Sequence, residues 1–319
     1  KYKEMKEMKK RKVVLIGTGF VGMSFAYSLF NQGGVNELIL VDILKEKAEG
    51  EALDISHGLA YCPNNMEVTY GNYKNCKDAD IVVITAGIAQ KPGQTRLELV
   101  ETNSKIAKDI TKNIMKSGFN GIIVVATNPV DIITYVVQKT SKLDSSKVIG
   151  TGTMLDTARL RYMLGEELDV NPIDINAIVM GEHGDSSFVP WEYCNIGCKN
   201  ILDIAKQKNK SISDLELIRN DVKNAAYEII EKKKATYYGI GMALTKLVKA
   251  ILDDERTILT VSTYLNGKYN EEDIYVGVPA VITGGGVREI LEISLNEADQ
   301  KKLDDSCQLL KDTLQKITI

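Results

Sequence analysis

The fold of this chain is decided by the stretch VVLIGTGFVG, residues 13–22. Its first four residues are apolar and mostly β-branched, which predicts a buried strand, and a helical pattern begins at Phe20. Gly17, Gly19 and Gly22 lie between and just inside these elements with the spacing G-x-G-x-x-G. Such glycines let the backbone turn tightly and approach a pyrophosphate at a helix N-terminus, so the stretch predicts a dinucleotide-binding site.

An acidic residue follows the second predicted strand, as this kind of site requires. Asp42 lies twenty residues after Gly22. A carboxylate there accepts hydrogen bonds from ribose hydroxyls and repels a 2′-phosphate, which favours NAD over NADP. Two alternatives stay open at this point: a glycine turn without a ligand, and a nucleotide-binding methyltransferase, against which the spacing before Gly22 argues.

The first half of the chain alternates short apolar runs with helical segments, which is typical of parallel strands joined by crossover helices. We therefore expect an α/β fold in which residues 1–149 form a doubly wound, Rossmann-type parallel sheet that binds NAD. The clearest predicted strands are Val13–Ile16, Glu37–Val41, Ile81–Thr85 and Ile122–Ala126. The predicted helices are Phe20–Gln32, Lys45–His57, Arg96–Ser117 and Pro129–Thr140.

The second half, residues 150–319, has a mixed pattern and is predicted to be an α+β substrate domain. Two long helical stretches are expected between Ser211 and Leu252, and Asn266-Gly267 predicts a turn between antiparallel strands. The remaining predicted elements are helices at Met154–Leu168 and Glu297–Lys316 and strands at Asp174–Met180, Thr257–Leu265 and Ile274–Thr283. No flexible linker separates the halves, so we expect a rigid interface with a cleft along it.

Composition excludes several classes of function. The chain has 319 residues with 40 Lys and Arg against 43 Asp and Glu, which argues against a nucleic-acid surface. No apolar run reaches the length of a membrane span or a signal peptide, so we expect a cytoplasmic protein without a membrane partner. The five cysteines are scattered and odd in number, which favours free thiols. Cys194 and Cys198 lack a second ligand pair nearby, so no metal site is expected.

The chain has two histidines, which are the side chains best suited to proton transfer near neutral pH. His57 is predicted at a helix end, where capping or subunit packing would explain it. His183 follows an apolar stretch and lies between Gly181 and Gly184, which leave room for a ligand. His183 is therefore the candidate acid–base residue.

Charged residues near these segments allow two interpretations each. Asp156 and Arg159 share one face of a predicted helix. They form either a surface ion pair, or a carboxylate that orients a histidine beside a guanidinium that binds a substrate carboxylate. Arg96 follows a polar loop with a Pro-Gly break, which indicates either a closing lid or a solvated helix start.

Several long motifs in one order give the chain a resemblance to the lactate/malate dehydrogenase family, in particular to its bacterial lactate-forming members. The resemblance covers nearly the whole chain. Its most specific segments are QKPGQTR at 90–96, ATNPVD at 126–131, LDTAR at 155–159, GEHGD at 181–185 and ATYYG at 235–239. It implies an NAD-dependent interconversion of a small 2-keto acid and its L-2-hydroxy acid, with pyruvate and L-lactate favoured as the last step of fermentative glycolysis. It also implies a homotetramer.

The resemblance implies a role for each catalytic candidate. Protonated His183 would give its proton to the keto oxygen while NADH delivers hydride to the carbon. Asp156 would hold the imidazole in the required tautomer and favour its charged form. Arg159 would bind the substrate carboxylate, and Arg96 would polarise the carbonyl as the loop closes.

The resemblance also implies binding residues. Asn128 would contact both substrate and the nicotinamide ribose region, and Thr236 would line the substrate pocket. Gln90 stands where malate enzymes carry Arg, which favours pyruvate because Gln supplies no cation for a second carboxylate; malate or a branched 2-hydroxy acid is the alternative. Further contacts to the dinucleotide are expected from Val21, Lys47, Tyr73, Gly87, Ile88 and Ala126.

One position departs from the family pattern. Members activated by fructose 1,6-bisphosphate pair an arginine, matched by Arg161, with a histidine, matched here by Asn176. Because one cationic partner of the anion is missing, we expect weak or absent activation.

Overall fold

The computed structural model of the chain describes residues 10–62, 64–88 and 96–317, the side chain of Arg96 excepted. In its first half the described residues form a parallel sheet. The strands are β1 (Lys12–Ile16), β2 (Glu37–Val41), β3 (Glu67–Tyr70), β4 (Ile81–Ile84), β5 (Ile122–Val125) and β6 (Val148–Gly150). They pair in the order β6-β5-β4-β1-β2-β3, so the strand order reverses direction at β1. The predicted doubly wound sheet is confirmed.

Helices cover both faces of this sheet. They are α1 (Phe20–Gln32), α2 (Lys45–His57), α3 (Arg96–Lys116) and α4 (Val130–Ser141). Alternate residues of β1 point to opposite faces: Val13 and Leu15 pack in the same core as Phe25 of α1, whereas Val14 packs in the same core as Ile110 of α3. Since neither face of the inner strands meets water, β1, β2, β4 and β5 are almost entirely apolar, as their sequences indicate.

The second half extends the sheet and adds helices around it. Its elements are α5 (Met154–Leu168), β7 (Ile175–Asn176), β8 (Asn195–Ile196), β9 (Lys199–Asn200), α6 (Ile201–Gln207), α7 (Ile212–Lys233), α8 (Tyr238–Leu252), β10 (Thr257–Asn266), β11 (Glu272–Thr283), β12 (Gly286–Ile290) and α9 (Glu297–Leu314). The long strands β10, β11 and β12 are antiparallel, and β10 pairs with β6 through Ser262 and Gly150. Within the described ranges, one nine-stranded sheet therefore runs through both halves.

The strand predicted at Asp174–Met180 is wrong in extent. Only β7 forms a ladder there, and Met180 makes an isolated bridge to Phe188. Side chains of α5 and of its N-cap residue Thr153 form the backbone hydrogen bonds of Val179 instead. The Thr153 hydroxyl donates to Val179 O at 2.6 Å, and Val179 N donates to the Thr157 hydroxyl at 2.9 Å. Because these groups are satisfied by side chains, no neighbouring strand is needed.

Cys194 and Cys198 lie four residues apart in the sequence but differ in their surroundings. Cys194 is buried, Cys198 is exposed, and both thiols are free. Burial raises the pKa of Cys194 to about 12, so its thiol stays protonated at neutral pH.

Nowhere in the described residues do three or more His, Cys, Asp or Glu side chains gather in a geometry that could hold a metal ion. Over the same residues, no helix is both long enough and apolar enough to cross a membrane.

Candidate active site

The glycine turn after β1 is shaped by two close approaches. Gly17 has a φ of 103°, and a Cβ there would lie 2.6 Å from Ala86 N. A Cβ on Gly22 would lie 2.1 Å from the Gly17 carbonyl oxygen, so neither position admits a side chain without a shift. Gly19 faces open space and is the N-cap of α1, and no side chain caps this helix. The amides at the start of α1 are thus free to bind an anion.

Asp42 immediately follows β2 and is tied to the glycine turn. Its Oδ2 accepts from Thr18 N at 2.7 Å and from the Thr18 hydroxyl at 2.9 Å, and its Oδ1 accepts from Leu44 N at 3.0 Å. Burial alone raises the pKa of Asp42, but these hydrogen bonds and the charge of Lys47 outweigh burial and lower it. The carboxylate is therefore ionised and available to hydroxyl donors.

The other residues expected to contact a dinucleotide follow the carboxyl ends of neighbouring strands or flank them. Gly87 and Ile88 follow β4, Ala126 follows β5, and Val21 lies in α1. Tyr73 is half-buried near the end of β3, and Lys47 in α2 donates to Thr18 O at 2.5 Å. Ligands of open α/β sheets bind at this edge, so the placement agrees with a dinucleotide groove.

Asn103 of α3 was missed by the sequence reasoning. Its side chain is buried, with 2% exposed. It accepts from Ile88 N at 2.9 Å and donates to Asn128 O at 2.9 Å. It thereby joins the loop after β4 to the loop after β5. An Asn inside a helix carries no local signal for such a role, because its partners come from distant segments.

His183, Asp156 and Arg159 are brought together beside a cavity. His183 Nδ1 lies 2.6 Å from Asp156 Oδ2, and Arg159 Nη1 lies 3.3 Å from Asp156 Oδ1. The Asp156 and Arg159 side chains are each only 13% exposed. The alternative of a solvated surface ion pair is therefore wrong for this pair.

The pKa values of this group follow from the contacts. The charge of Asp156 raises the pKa of His183 to about 9, although burial opposes this shift. Burial favours a higher pKa for Asp156, but the charge and hydrogen bond of His183, together with Arg159, lower it. At neutral pH the pair is thus an imidazolium beside a carboxylate, and the imidazole holds a proton that it can give away.

The cavity measures about 310 Å³ and is lined by residues of both halves. Asn128 and Pro129 form one wall with the His183 group, and Lys223 and Tyr227 of α7 form another. Thr236 is not among the lining residues; it lies half-buried between α7 and α8. Arg96 is the first residue of α3, but its side chain and the whole of Gln90 lie outside the described residues.

The loop that carries His183 is hydrogen-bonded to three other elements. Gly181 and Gly277 of β11 exchange both backbone hydrogen bonds, at 2.9 and 3.0 Å. Glu182 N donates to the Ser306 hydroxyl of α9 at 2.8 Å. His183 N donates to Asp131 of α4 at 2.9 Å. The other histidine, His57, is exposed at the end of α2.

Two family models match the chain and together cover most of it. The model described as lactate/malate dehydrogenase, NAD binding domain, matches residues 11–150. The model described as lactate/malate dehydrogenase, alpha/beta C-terminal domain, matches residues 153–318.

Individual proteins are similar over nearly their full length. The L-lactate dehydrogenase of Lactococcus lactis subsp. cremoris is 53% identical over 308 residues, which is 96% of this chain and 98% of that protein. L-lactate dehydrogenase 1 of Bacillus cereus is 53% identical over 304 residues, 95% of this chain and 97% of that protein. Among solved structures, the ligand-bound minor L-lactate dehydrogenase from Enterococcus mundtii is 50% identical with a TM-score of 0.95, covering 97% of this chain and 99% of that one.

Proposed function

The chain belongs to the lactate/malate dehydrogenase family, and we infer that it transfers hydride reversibly between NADH and pyruvate to give L-lactate and NAD⁺. It is an oxidoreductase with an NAD-binding domain. The observation that carries the proposal is the 2.6 Å contact between His183 and Asp156, beside a cavity that Arg159 also lines. A proton donor and a carboxylate-binding cation thus face one small space.

The residues of the first half fit a bound NAD. The open space at Gly19 and the uncapped amides of α1 suit a pyrophosphate, and ionised Asp42 suits the ribose hydroxyls. We propose that Gly17, Gly22 and Lys47 shape this site. NAD, when bound, accepts or supplies the hydride. Further contacts would come from Val21, Tyr73, Gly87, Ile88, Ala126 and Asn128.

His183 acts as the acid and base of the reaction. In pyruvate reduction its imidazolium gives a proton to the keto oxygen, and in lactate oxidation the neutral ring takes the hydroxyl proton. Asp156 bonds Nδ1, so the nitrogen that faces substrate is Nε2. The carboxylate also stabilises the charge that the ring carries.

Arg159 binds the substrate carboxylate through its planar guanidinium group. It donates to Asp156 through Nη1 at 3.3 Å, and its other N–H groups can donate to the substrate. Asn128 lies on the cavity wall, where its amide donates to substrate oxygen. Arg96 would polarise the carbonyl as the loop before α3 closes over the site, and Thr236 would complete the pocket. These last two roles follow from the family pattern.

Substrate choice depends on Gln90. A dicarboxylate such as oxaloacetate would bury a second negative charge, and Gln offers no cation to neutralise it. We propose pyruvate over oxaloacetate for this reason. NADH oxidation is to be measured with pyruvate, oxaloacetate and 2-ketoisocaproate in parallel, in the native protein and in Gln90→Arg.

Pyruvate should be the best substrate of the native protein, and Gln90→Arg should raise the ratio of oxaloacetate to pyruvate turnover about 100-fold. Gln94→Arg, in the same loop, is the matched control for added charge. An unchanged ratio in Gln90→Arg would show that this position does not select the substrate. Faster turnover of 2-ketoisocaproate than of pyruvate would assign a branched substrate instead.

We also propose a cytoplasmic homotetramer whose subunits each combine a cofactor part, residues 1–149, with a substrate part, residues 150–319. Exposed apolar side chains support association: Ile173 is 86% exposed and Ile258 is 51% exposed, and both line a cleft of about 810 Å³. Light scattering on the purified chain measures the assembly.

Arg161 and Asn176 line the same cleft. Because Asn176 carries no charge, fructose 1,6-bisphosphate should have little effect on how the rate depends on pyruvate concentration. Asn176→His should make this effect of the bisphosphate larger.

A further inference from the structure

Asp131 is a buried carboxylate to which the proposed reaction assigns no role. It lies in the first turn of α4 and is 2% exposed. Its Oδ2 accepts the backbone N–H of His183 at 2.9 Å, and its Oδ1 accepts the hydroxyl of Ser262 at 2.5 Å. Both carboxylate oxygens are therefore used, and both donors come from other elements.

These two hydrogen bonds join three parts of the site. Asp131 belongs to α4, Ser262 to β10, and His183 to the loop at 181–187. The bonded amide belongs to the same residue whose ring contacts Asp156. Asn128, just before α4, lies on the wall of the cavity that His183 also lines. Movement of the Asp131 carboxylate would therefore displace the imidazole from Asp156 and from the substrate.

A stabilising charge at a helix N-terminus is the simplest other explanation of Asp131. Acidic residues in a first turn are favourable there because of the helix dipole. That effect needs no burial, however: Asp203 occupies the first turn of α6 and is exposed. Burial of a carboxylate is costly unless specific hydrogen bonds compensate. The buried position of Asp131 therefore indicates that its partners matter.

The charge of Asp131 also reaches the imidazole. Burial raises the pKa of Asp131 to about 6, while the bonds from Ser262 and the His183 amide and the His183 charge favour ionisation. The charge of Glu182, in the loop at 181–187, also raises the pKa of Asp131. The charge of Asp131 in turn raises the pKa of Cys307 in α9. Together with Asp156, Asp131 raises the pKa of His183, whereas Arg159 lowers it.

We propose that Asp131 is a positioning residue for proton transfer: it holds the backbone of His183 against α4 and β10 so that the imidazole stays between Asp156 and the substrate. The inference rests on the proposed function. It concerns a residue that acts through His183 and touches neither substrate nor cofactor.

Asp131→Ala removes both acceptors and should lower kcat for pyruvate about 100-fold, since a small misplacement of the acid is enough for such a loss. KM for pyruvate should stay within about threefold, because Arg159 is untouched. Asp131→Asn keeps an acceptor for the His183 amide, and Ser262 can turn to accept from the carboxamide, so kcat should return to within about fivefold of native. The Asn variant lacks the negative charge, so the alkaline limb of its pH profile should move to lower pH.

Asp203→Ala and Asp203→Asn, at the exposed first-turn acid of α6, are the matched controls and should behave as the native chain. Native kcat in a folded Asp131→Ala would overturn the proposal, and so would equal losses in Asp131→Ala and Asp131→Asn. If the Ala variant does not fold, Ser262→Ala decides, because it removes the bond between Asp131 and β10 and leaves the carboxylate in place. It should lower kcat with KM for pyruvate near native, and a native kcat in Ser262→Ala would contradict the proposal.

A second measurement needs no turnover. In a His57→Gln background His183 is the only histidine of the chain, and its reaction with diethyl pyrocarbonate reports the neutral fraction of the ring. Asp131→Asn should increase the rate at neutral pH, whereas Asp203→Asn should not. Absence of 2-keto acid turnover in the native chain would refute the proposed function alone. An unchanged modification rate in Asp131→Asn would refute the influence of Asp131 on His183.

Discussion

The glycine turn (residues 17–22) and the histidine loop (residues 181–187) are held in place in different ways. The turn is tied to nearby segments: Gly17 N donates to Val41 O at 2.8 Å, and Thr18 bonds Asp42, 24 residues away. The loop is tied to distant ones: His183 bonds Asp131, 52 residues away, and Glu182 bonds Ser306, 124 residues away. The turn is thus held mainly by the end of β2, with a further contact from the end of β4, where the Thr85 hydroxyl donates to Gly17 O at 2.8 Å. The loop is instead assembled from α5, β11 and α9 of the second half together with α4.

This difference teaches where function is sensitive to remote change. Backbone shape and a helix N-terminus bind a pyrophosphate, and neighbouring strands provide both. Proton transfer needs one ring at one place and angle, which the loop alone does not enforce. Substitutions in α4 and α9 should therefore alter the chemistry, whereas substitutions in the turn should alter cofactor affinity.

His183→Asn tests the chemical side most directly. Without a proton donor, kcat for pyruvate should fall about 10³-fold, the usual contribution of general acid catalysis. NADH affinity, measured by fluorescence titration, should stay near native because the glycine turn is intact. His57→Asn is the control at the exposed histidine and should leave kcat unchanged. Near-native turnover in His183→Asn would show that His183 is not the proton donor of the reaction.

Asp156→Asn removes the negative charge beside His183 and keeps a side chain of nearly the same shape. Asp156 is the largest cause of the rise in the pKa of His183 from 6.5 to about 9. In the native chain, kcat/KM for pyruvate should hold at neutral pH and decline as pH rises through about 9. The variant should lose activity at lower pH, with a deficit near pH 9 of about 10²-fold, since each pH unit is a factor of ten. An unchanged alkaline limb would contradict the assignment.

The same pair makes stability depend on pH. The folded pKa of His183 lies above its ordinary value, so the stabilisation is fully present below pH 6.5 and is lost as pH rises through about 9. Thermal unfolding of native chain and Asp156→Asn across this window should show a difference that shrinks toward high pH.

Gly22→Ala and Gly19→Ala test whether the glycine turn is tightly packed and whether it binds the cofactor. The added Cβ of Gly22→Ala would lie 2.1 Å from Gly17 O, so we expect a loss of about 1–3 kcal/mol in the free energy of unfolding and a KM for NADH raised about tenfold. In Gly19→Ala nothing lies within 4 Å of the added Cβ, so stability should be native. KM for NADH should still rise, because the methyl group enters the space meant for pyrophosphate. Equal stabilities of the two variants would show that the turn is not tightly packed.

Ser306→Ala is expected to have the smallest effect and tests the remote support of the loop. The Ser306 hydroxyl accepts from Glu182 N and bonds the Ser186 hydroxyl at 2.7 Å. Loss of these bonds should lower kcat about threefold and stability by about 1 kcal/mol. Thr313→Ala, whose hydroxyl donates to Leu309 O within α9, is the control. A native kcat in Ser306→Ala would show that Ser306 does not help to position His183 and that Asp131 and Asp156 are sufficient.

The sequence by itself determined the elements whose signals are local. Helices α1, α2 and α5 have the predicted bounds, and β2 matches its prediction, because apolar periodicity and turn residues are short-range patterns. The strands β3, β6 and β12 and the helix α6 were not predicted, since segments of three to seven residues carry little periodicity. The glycine motif, Asp42 and His183 were likewise identifiable from their immediate neighbours.

Only the tertiary structure decided which buried polar groups support the site. Asp131 reads in the sequence as an ordinary first-turn acid, Asn103 as an ordinary helical amide, and Ser306 as an ordinary polar residue of an amphipathic helix. Each is instead buried and bonded to a segment far along the chain. The physical reason is that local backbone preference depends on adjacent residues, whereas the partner of a buried polar group depends on which elements pack against it.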